Sequence, residues 1–411
     1  MAKPVVRTLA GAASKPVPRK TEVLVLDQIA PVGLKRFSPE RYSLVKEAKS
    51  PEVVLVRSQD LHAVDLGTRL LAVGRAGAGT NNIPVDALSR RGLPVFNAPG
   101  ANANAVKELV LAGMLLGARN LPGALEFVHG LDIGAPDLDK RIEKGKKAFA
   151  GMELPGHTLG VIGLGRVGSL VADAAIRLGM HVLGFDPDIT VDAAWGLPSQ
   201  VRRANSIDEV LKAGHFLTLH VPLVDRTRNL INEKNVELMK LGAILLNFSR
   251  EGVVEEEAVL KGLRTHRLKA YVTDFPAAAL IRVPGVIALP HLGASTREAE
   301  ENCAIMLVDQ VCDYVEHGNI INAVNFPEVA MPRESPFRVA IANANVPNML
   351  ARISNAMGVA SLNIHTMLNK SRDEMAYTLV DVDSAVPVVV IDALRKIDGV
   401  LAVRYLPADH E

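Results

Sequence analysis

Residues 159–187 read LGVIGLGRVGSLVADAAIRLGMHVLGFDP. An apolar run leads into Gly163, Gly165 and Gly168 at G-x-G-x-x-G spacing. A helical pattern follows, and a second apolar run ends at Asp186, eighteen residues past Gly168. The glycine triplet alone is a weak signal. Placed between a strand and a helix inside a β-α-β unit, with an acid closing the next strand, it becomes a strong one. Gly163 permits the tight turn, Gly165 lets a pyrophosphate approach the backbone, and Gly168 lets the helix pack close to the strand. The helix N-terminus offers free N–H groups and a positive partial charge to phosphates. Asp186 is suited to the adenosine ribose hydroxyls. Its charge repels a 2′-phosphate and no arginine follows it directly, so the expected cofactor is NAD rather than NADP.

Working outward, short runs rich in Val, Ile and Leu alternate with helical patterns from residue 22 to about residue 325. EVLVLD, EVVLVRS, LLAVGRAG, LPVFNAP, FLTLHVP, AILLNFS, AYVTDF and VIALP are nearly continuous apolar runs. Strands buried on both faces of a parallel sheet have this character. The glycine turn is in mid-chain with several strands before it, so a separate α/β domain precedes the dinucleotide domain. In NANAVKELVLAGMLLGARN, the residues Val106, Leu109, Val110, Gly113 and Met114 share one helical face. A long helical stretch, residues 296–317, leads back toward the first domain. After the Pro-containing segment NFPEVAMPRESP the pattern becomes β-α-β-β-α-β, a ferredoxin-like module. Its VDVD strand alternates apolar and polar residues, as expected for a half-exposed antiparallel sheet.

The gross numbers agree with this organisation. The 411 residues suggest two or three domains. Apolar residues make up 48% and charged residues 22%, with aromatics at only 4%, so the cores are aliphatic. A formal net charge of +1 argues against a general nucleic-acid binder. Two cysteines, Cys303 and Cys312, make neither a disulfide framework nor a metal cluster, so no metal is expected and a reducing cytoplasm fits. No apolar run reaches the ~18 residues of a membrane span. Residues 1–20 carry five basic residues, three prolines and no acid, and read as a disordered tail.

GVIGLGRVG, LLNFSREGVV, YVTDFP and LPHLGAST, in this order and spacing, resemble the D-isomer-specific 2-hydroxyacid dehydrogenases. VLVRS, VGRAGAGTNNI and NAPGANANAVKELV are similar to the branch of that family that oxidises 3-phospho-D-glycerate to 3-phosphohydroxypyruvate, at the start of L-serine synthesis. NANVPNMLARIS and GVASLNI resemble an ACT domain. The resemblance implies two doubly wound parallel-sheet domains plus the ACT module. Residues 21–101 and 297–333 form a substrate domain, 102–296 an inserted NAD domain, and 337–411 a regulatory domain. It assigns catalysis to Arg250 and His291, and cofactor contacts to the glycine turn with Arg166 and Val167, to Asp186, to Pro222 and to Asp274. Substrate contacts fall on Arg57, Ser58, Gly77 and Asn102, with Arg75 a further candidate. A planar guanidinium at position 250 suits bidentate binding of a carboxylate. An L-serine effector is implied at Asn343, Asn345 and Asn363. Asn343 stands where the family has a histidine, and Asn348 where it has a glycine. A homodimer or homotetramer is implied, with no nucleic-acid or membrane partner. Alternatives are a dehydrogenase of another 2-hydroxyacid, such as 2-hydroxyglutarate, and an NAD- and amino-acid-sensing regulator.

One departure bears on mechanism. In TDFPAAALIRVPGVIALPHLGAST, residues 273–296, no acid lies between Asp274 and His291. The family's glutamate that orients the histidine corresponds to an alanine here, Ala278 within Ala277 to Ala279. A carboxylate about 4 Å away is worth roughly 4 kcal/mol as an upper figure toward an imidazolium. A neutral imidazole still serves as the base that alcohol oxidation needs. The expectation is that His291 remains the catalyst, held by a backbone carbonyl, water or another side chain. Keto-acid reduction is then expected to weaken above pH ~7.

Overall fold

The computed structural model describes residues 19–408. The expected tail is almost wholly outside them. Two compact units emerge. One takes the described residues up to Ala98 with those from Ala304 on, and the other is Pro99–Cys303.

The first unit begins with five parallel strands: β1 (Thr21–Val25), β2 (Tyr42–Val45), β3 (Val53–Val56), β4 (Ala72–Arg75) and β5 (Val95–Phe96), in the order β2-β1-β3-β4-β5. All four residues of β3 are buried, as its unbroken VVLV run requires. The order reverses between β1 and β3, which makes the carboxyl ends of those two strands the switch point of this sheet.

Pro99–Cys303 contains seven parallel strands: β6 (Thr158–Ile162), β7 (His181–Phe185), β8 (Arg202–Arg203), β9 (Phe216–Leu219), β10 (Ala243–Asn247), β11 (Leu268–Thr273) and β12 (Val286–Ala288). Their order is β12-β11-β10-β9-β6-β7-β8, with the switch between β6 and β9. The helix Ala103–Arg119 packs Val106, Val110 and Met114 into the core of this sheet, on the face its periodicity predicted. Two strands were not legible as apolar runs. β2 is a short edge strand in which Tyr42 alone is buried, and β8 is two exposed arginines.

The C-terminal module has four strands: β13 (Phe337–Ala344), β14 (Ile364–Arg372), β15 (Met375–Val382) and β16 (Val400–Pro407). They pair antiparallel in the order β14-β15-β13-β16, with the helices Met349–Val359 and Val388–Arg395 between them. This is the ferredoxin-like arrangement expected of an ACT-like module.

The expectation of a half-exposed sheet here is wrong for β15. Seven of its eight residues are buried, and Asp381 is fully so. The polar face is covered by the end of the helix Arg297–His317 and by the segment after it, in which Phe326, Val329 and Met331 are buried. The Tyr377 hydroxyl donates to the Gly318 carbonyl at 2.8 Å. Arg338, also fully buried, pairs with Asp381 in a fork of 2.6 and 2.8 Å. Its remaining donors reach the carbonyls of His317, Met331 and Pro332. Burying a carboxylate under this contact requires such a fully satisfied partner, and the alternation in VDVD records that pairing rather than solvent.

Candidate active site

The glycine turn is built as its spacing implies. Gly163, just past β6, has φ +92, a backbone region closed to most side chains. A Cβ there would stand 2.4 Å from the His220 carbonyl oxygen at the end of β9, across the sheet's switch point. A Cβ on Gly168 would stand 1.9 Å from the Gly163 carbonyl oxygen. At Gly165, which caps the helix Arg166–Arg177, a Cβ would meet nothing within 4 Å, so the space over the helix start is open. Arg166 and Val167 form the first turn of that helix.

Asp186 follows β7 and accepts the Leu164 N–H at 2.9 Å and the Asp188 N–H at 3.0 Å. It is thereby tied to the glycine turn. Arg226 approaches this region but is paired with Asp188. Pro222 is exposed in the loop after β9, its carbonyl accepting the Thr227 hydroxyl at 2.5 Å.

Arg250, Asp274 and His291 follow the carboxyl ends of β10, β11 and β12, which are neighbours in register: Asn247 pairs with Thr273, and Thr273 with Ala288. Three residues distant in sequence are thus brought to one edge of one sheet. Asp274 is 1% exposed. Its Oδ2 accepts the Gly293 N–H at 3.0 Å, while its Oδ1 is buried without a hydrogen-bond partner. Burial raises its carboxyl above the ordinary aspartate range, opposed by the Gly293 N–H and by the charges of His291 and Arg250. A buried acceptor without a partner is costly alone and suits a carboxamide N–H from a ligand. The open helix start, the carboxylate of Asp186 beside the glycine turn and this unpartnered acceptor fit a dinucleotide.

Arg250 is exposed and donates from Nη1 to the Ser249 carbonyl at 2.6 Å. The Asn247 side chain fixes the local backbone by donating to the Arg250 carbonyl at 3.0 Å. His291 is exposed with φ +49, a left-handed conformation unusual for a non-glycine residue. Its N–H donates to the carbonyls of Asp274 at 2.8 Å and Leu289 at 3.1 Å. Its ring lies 4.9 Å, centroid to centroid, from that of Phe275. Phe275 was not foreseen as a site residue. Its place directly after Asp274 in TDFP was the available signal.

The remaining candidates are elsewhere. Arg57 and Ser58 directly follow β3, Arg75 ends β4, and a Cβ on Gly77 would meet the Arg75 guanidinium at 2.6 Å. Asn102 is at the start of the helix Ala103–Arg119 without a side-chain cap bond. In the C-terminal module, Asn343 is 1% exposed, and its Oδ1 is buried without a hydrogen-bond partner. Asn345 donates to the Asp373 carbonyl, and the Asn363 N–H to Asp383. Asn348 has φ +66, the left-handed conformation a glycine would supply. Among the described residues no cluster of His, Cys, Asp or Glu could hold a metal, and no helix is long and apolar enough to cross a membrane.

A doubly wound sheet with a G-x-G-x-x-G turn at its switch point defines a dinucleotide-binding domain. Residues 114–293 match the family described as D-isomer specific 2-hydroxyacid dehydrogenase, NAD binding domain. The chain belongs to the D-isomer-specific 2-hydroxyacid dehydrogenases and is an NAD-dependent enzyme. It is 34% identical over 355 residues to the D-3-phosphoglycerate dehydrogenase of Haemophilus influenzae, covering 84% of this chain and 83% of that one. It is 31% identical over 356 residues to the enzyme of that name from Escherichia coli K12, with 84% and 83% covered. Among solved structures, it is similar to NAD+-bound 3-phosphoglycerate dehydrogenase of Entamoeba histolytica, with TM-score 0.58 and 25% identity over 74% of this chain and 99% of that one.

Proposed function

We propose that this dehydrogenase oxidises 3-phospho-D-glycerate to 3-phosphohydroxypyruvate, the step that opens L-serine synthesis, and that it does so in the cytoplasm. The carrying observation is the convergence of Arg250, Asp274 and His291 at three adjacent strand ends. The names of the relatives support the substrate. So do Arg57 and Arg75 at the carboxyl ends of β3 and β4, since the substrate carries about three negative charges near neutrality.

In this reading Gly163 to Gly168 cradle the pyrophosphate, Asp186 holds the ribose hydroxyls, and Asp274 Oδ1 accepts the carboxamide N–H. When bound, NAD supplies the hydride acceptor. Arg250 grips the substrate carboxylate and stabilises negative charge on the C2 oxygen. Neutral His291 accepts the hydroxyl proton, and in the reverse direction its protonated form returns it. Arg57, Ser58, Arg75, Gly77 and Asn102 bind the rest of the substrate. With no glutamate at Ala278, the ring of His291 is oriented by packing on Phe275, and its backbone is fixed by the bonds to the Asp274 and Leu289 carbonyls.

The C-terminal module serves as an ACT regulatory domain in a homodimer or homotetramer, with L-serine at Asn343, Asn345 and Asn363. The vacant Asn343 Oδ1 supports a ligand with N–H donors. The left-handed Asn348 supports retention of the family's turn.

Steady-state NADH oxidation with 3-phosphohydroxypyruvate tests the reading in the wild type and His291→Ala. Fast wild-type turnover, reduced at least ~100-fold in the variant, is expected. Near-normal turnover in the variant would remove His291 from the mechanism.

A further inference from the structure

Arg57, Ser58 and Gln59 form the loop at the carboxyl end of β3. Their three consecutive backbone N–H groups all donate to one oxygen, Oδ2 of Asp27, at 2.8, 2.8 and 3.0 Å. Asp27 is two residues beyond the end of β1, so its carboxylate fills the switch point between β1 and β3. In an open α/β sheet that is where a ligand is expected to bind.

The loop's carbonyls are held as well. The Arg57 carbonyl accepts from Arg75 Nε at 3.0 Å, and the Gln59 carbonyl from the Asn82 side chain at 2.8 Å. Side chains from three other places in the unit, Asp27, Arg75 and Asn82, therefore hold the backbone of a loop that carries two candidate substrate contacts. Asp27 itself has φ +64, a conformation in which aspartate is among the few tolerated non-glycine residues. The turn at the end of β1 is thereby aimed back at β3. Burial works against the ionised carboxyl, but the three N–H donors and the Arg57 charge outweigh it and hold Asp27 below the ordinary aspartate range. The carboxylate is thus the working form throughout the neutral range.

We propose that Asp27 is a positioning residue for substrate binding. Its carboxylate fixes the backbone of residues 57–59, so that the Arg57 and Ser58 side chains meet the anionic hydroxyacid from one preset loop conformation. This rests on the reading of Arg57 as a substrate contact. Three N–H groups gathered on one anion form the kind of nest that otherwise binds a ligand anion. Here the protein supplies the anion itself, and the loop's recognition is left to its side chains.

The test compares Asp27→Ala, Asp27→Asn and Arg57→Ala in the full-length enzyme. It measures KM and kcat for 3-phosphohydroxypyruvate, Kd for NADH, and amide hydrogen exchange at residues 57–59. Asp27→Ala is expected to raise the keto-acid KM about tenfold or more. Its kcat and NADH Kd are expected to stay within about threefold of wild type, with faster exchange at residues 57–59. Asp27→Asn keeps an acceptor oxygen and is expected to recover most of the lost affinity. If Arg57→Ala raises KM and Asp27→Ala does not, the positioning role is overturned. If Asp27→Ala weakens NADH binding in parallel, the effect is general loosening and the role is again overturned. An unchanged KM in Arg57→Ala would overturn the substrate reading of the loop, and this proposal with it.

Discussion

The imidazole of His291 lies against the ring of Phe275, with centroids 4.9 Å apart and planes tilted by 53°. The Phe275 ring packs against the imidazole, while the carbonyls of Asp274 and Leu289 hold the His291 backbone N–H and with it the residue's left-handed turn. Phe275→Ala is expected to lower kcat roughly tenfold through lost alignment, with NADH affinity within about twofold. Stopped-flow NADH binding and steady-state kcat, read together, check this. A parallel fall in both would point to a collapsed strand end instead.

Restoring the carboxylate is the complementary change. On the reading that Ala278 stands at the family's glutamate position, a glutamate there would favour the imidazolium, and the proton donor for keto-acid reduction would persist to higher pH. Ala278→Glu is expected to move the alkaline limb of the reduction profile upward by about one pH unit or more. An unmoved limb would show that a side chain at 278 does not reach His291.

Asp274 gives a pH dependence of known sign. Burial raises its carboxyl, so between its unfolded and folded values the native state binds more protons than the unfolded one. Its contribution to apo stability is therefore unfavourable at neutral pH, and the penalty lessens as pH falls through the folded value. On the proposed contact of Asp274 Oδ1 with the carboxamide, NADH affinity runs the other way, because the carboxylate is the better acceptor. NADH Kd is expected to rise on acidification in the wild type while still above the ordinary aspartate range, and to be flatter in Asp274→Asn. Calorimetric titration across pH measures both.

The Arg338–Asp381 pair lies inside the C-terminal sheet, and Arg338 also donates to the carbonyls of His317, Met331 and Pro332 in the segment that covers it. Asp381→Ala leaves a buried guanidinium with its fork unfilled and is expected to cost about 3–5 kcal/mol in denaturant unfolding. The double change Arg338→Met with Asp381→Leu is expected to recover much of that, since no charge is then stranded. Equal losses in the single and double variants would contradict the account.

Much of this was legible in the sequence. The unbroken apolar runs located the central strands because parallel strands are buried on both faces. The glycine turn was readable because each glycine answers a separate steric demand, visible at Gly163 and Gly168. The six elements of the C-terminal module followed from their periodicity. What escaped depends on tertiary contact. Nothing in VDVD reveals that Asp381 meets Arg338 from another strand. Asp27 and Phe275 carry no motif of their own, since their roles arise only when β1 meets β3 and β11 meets β12. The two-residue β8 is too short to carry any period.

The most direct measurement is NADH oxidation by the purified enzyme with 3-phosphohydroxypyruvate, set beside 2-oxoglutarate at equal concentration. The account predicts fast turnover with the phosphorylated acid and little with the other. Tight NADH binding with no turnover of either would make the chain a sensor, and turnover of 2-oxoglutarate alone would leave the mechanism standing while contradicting the substrate.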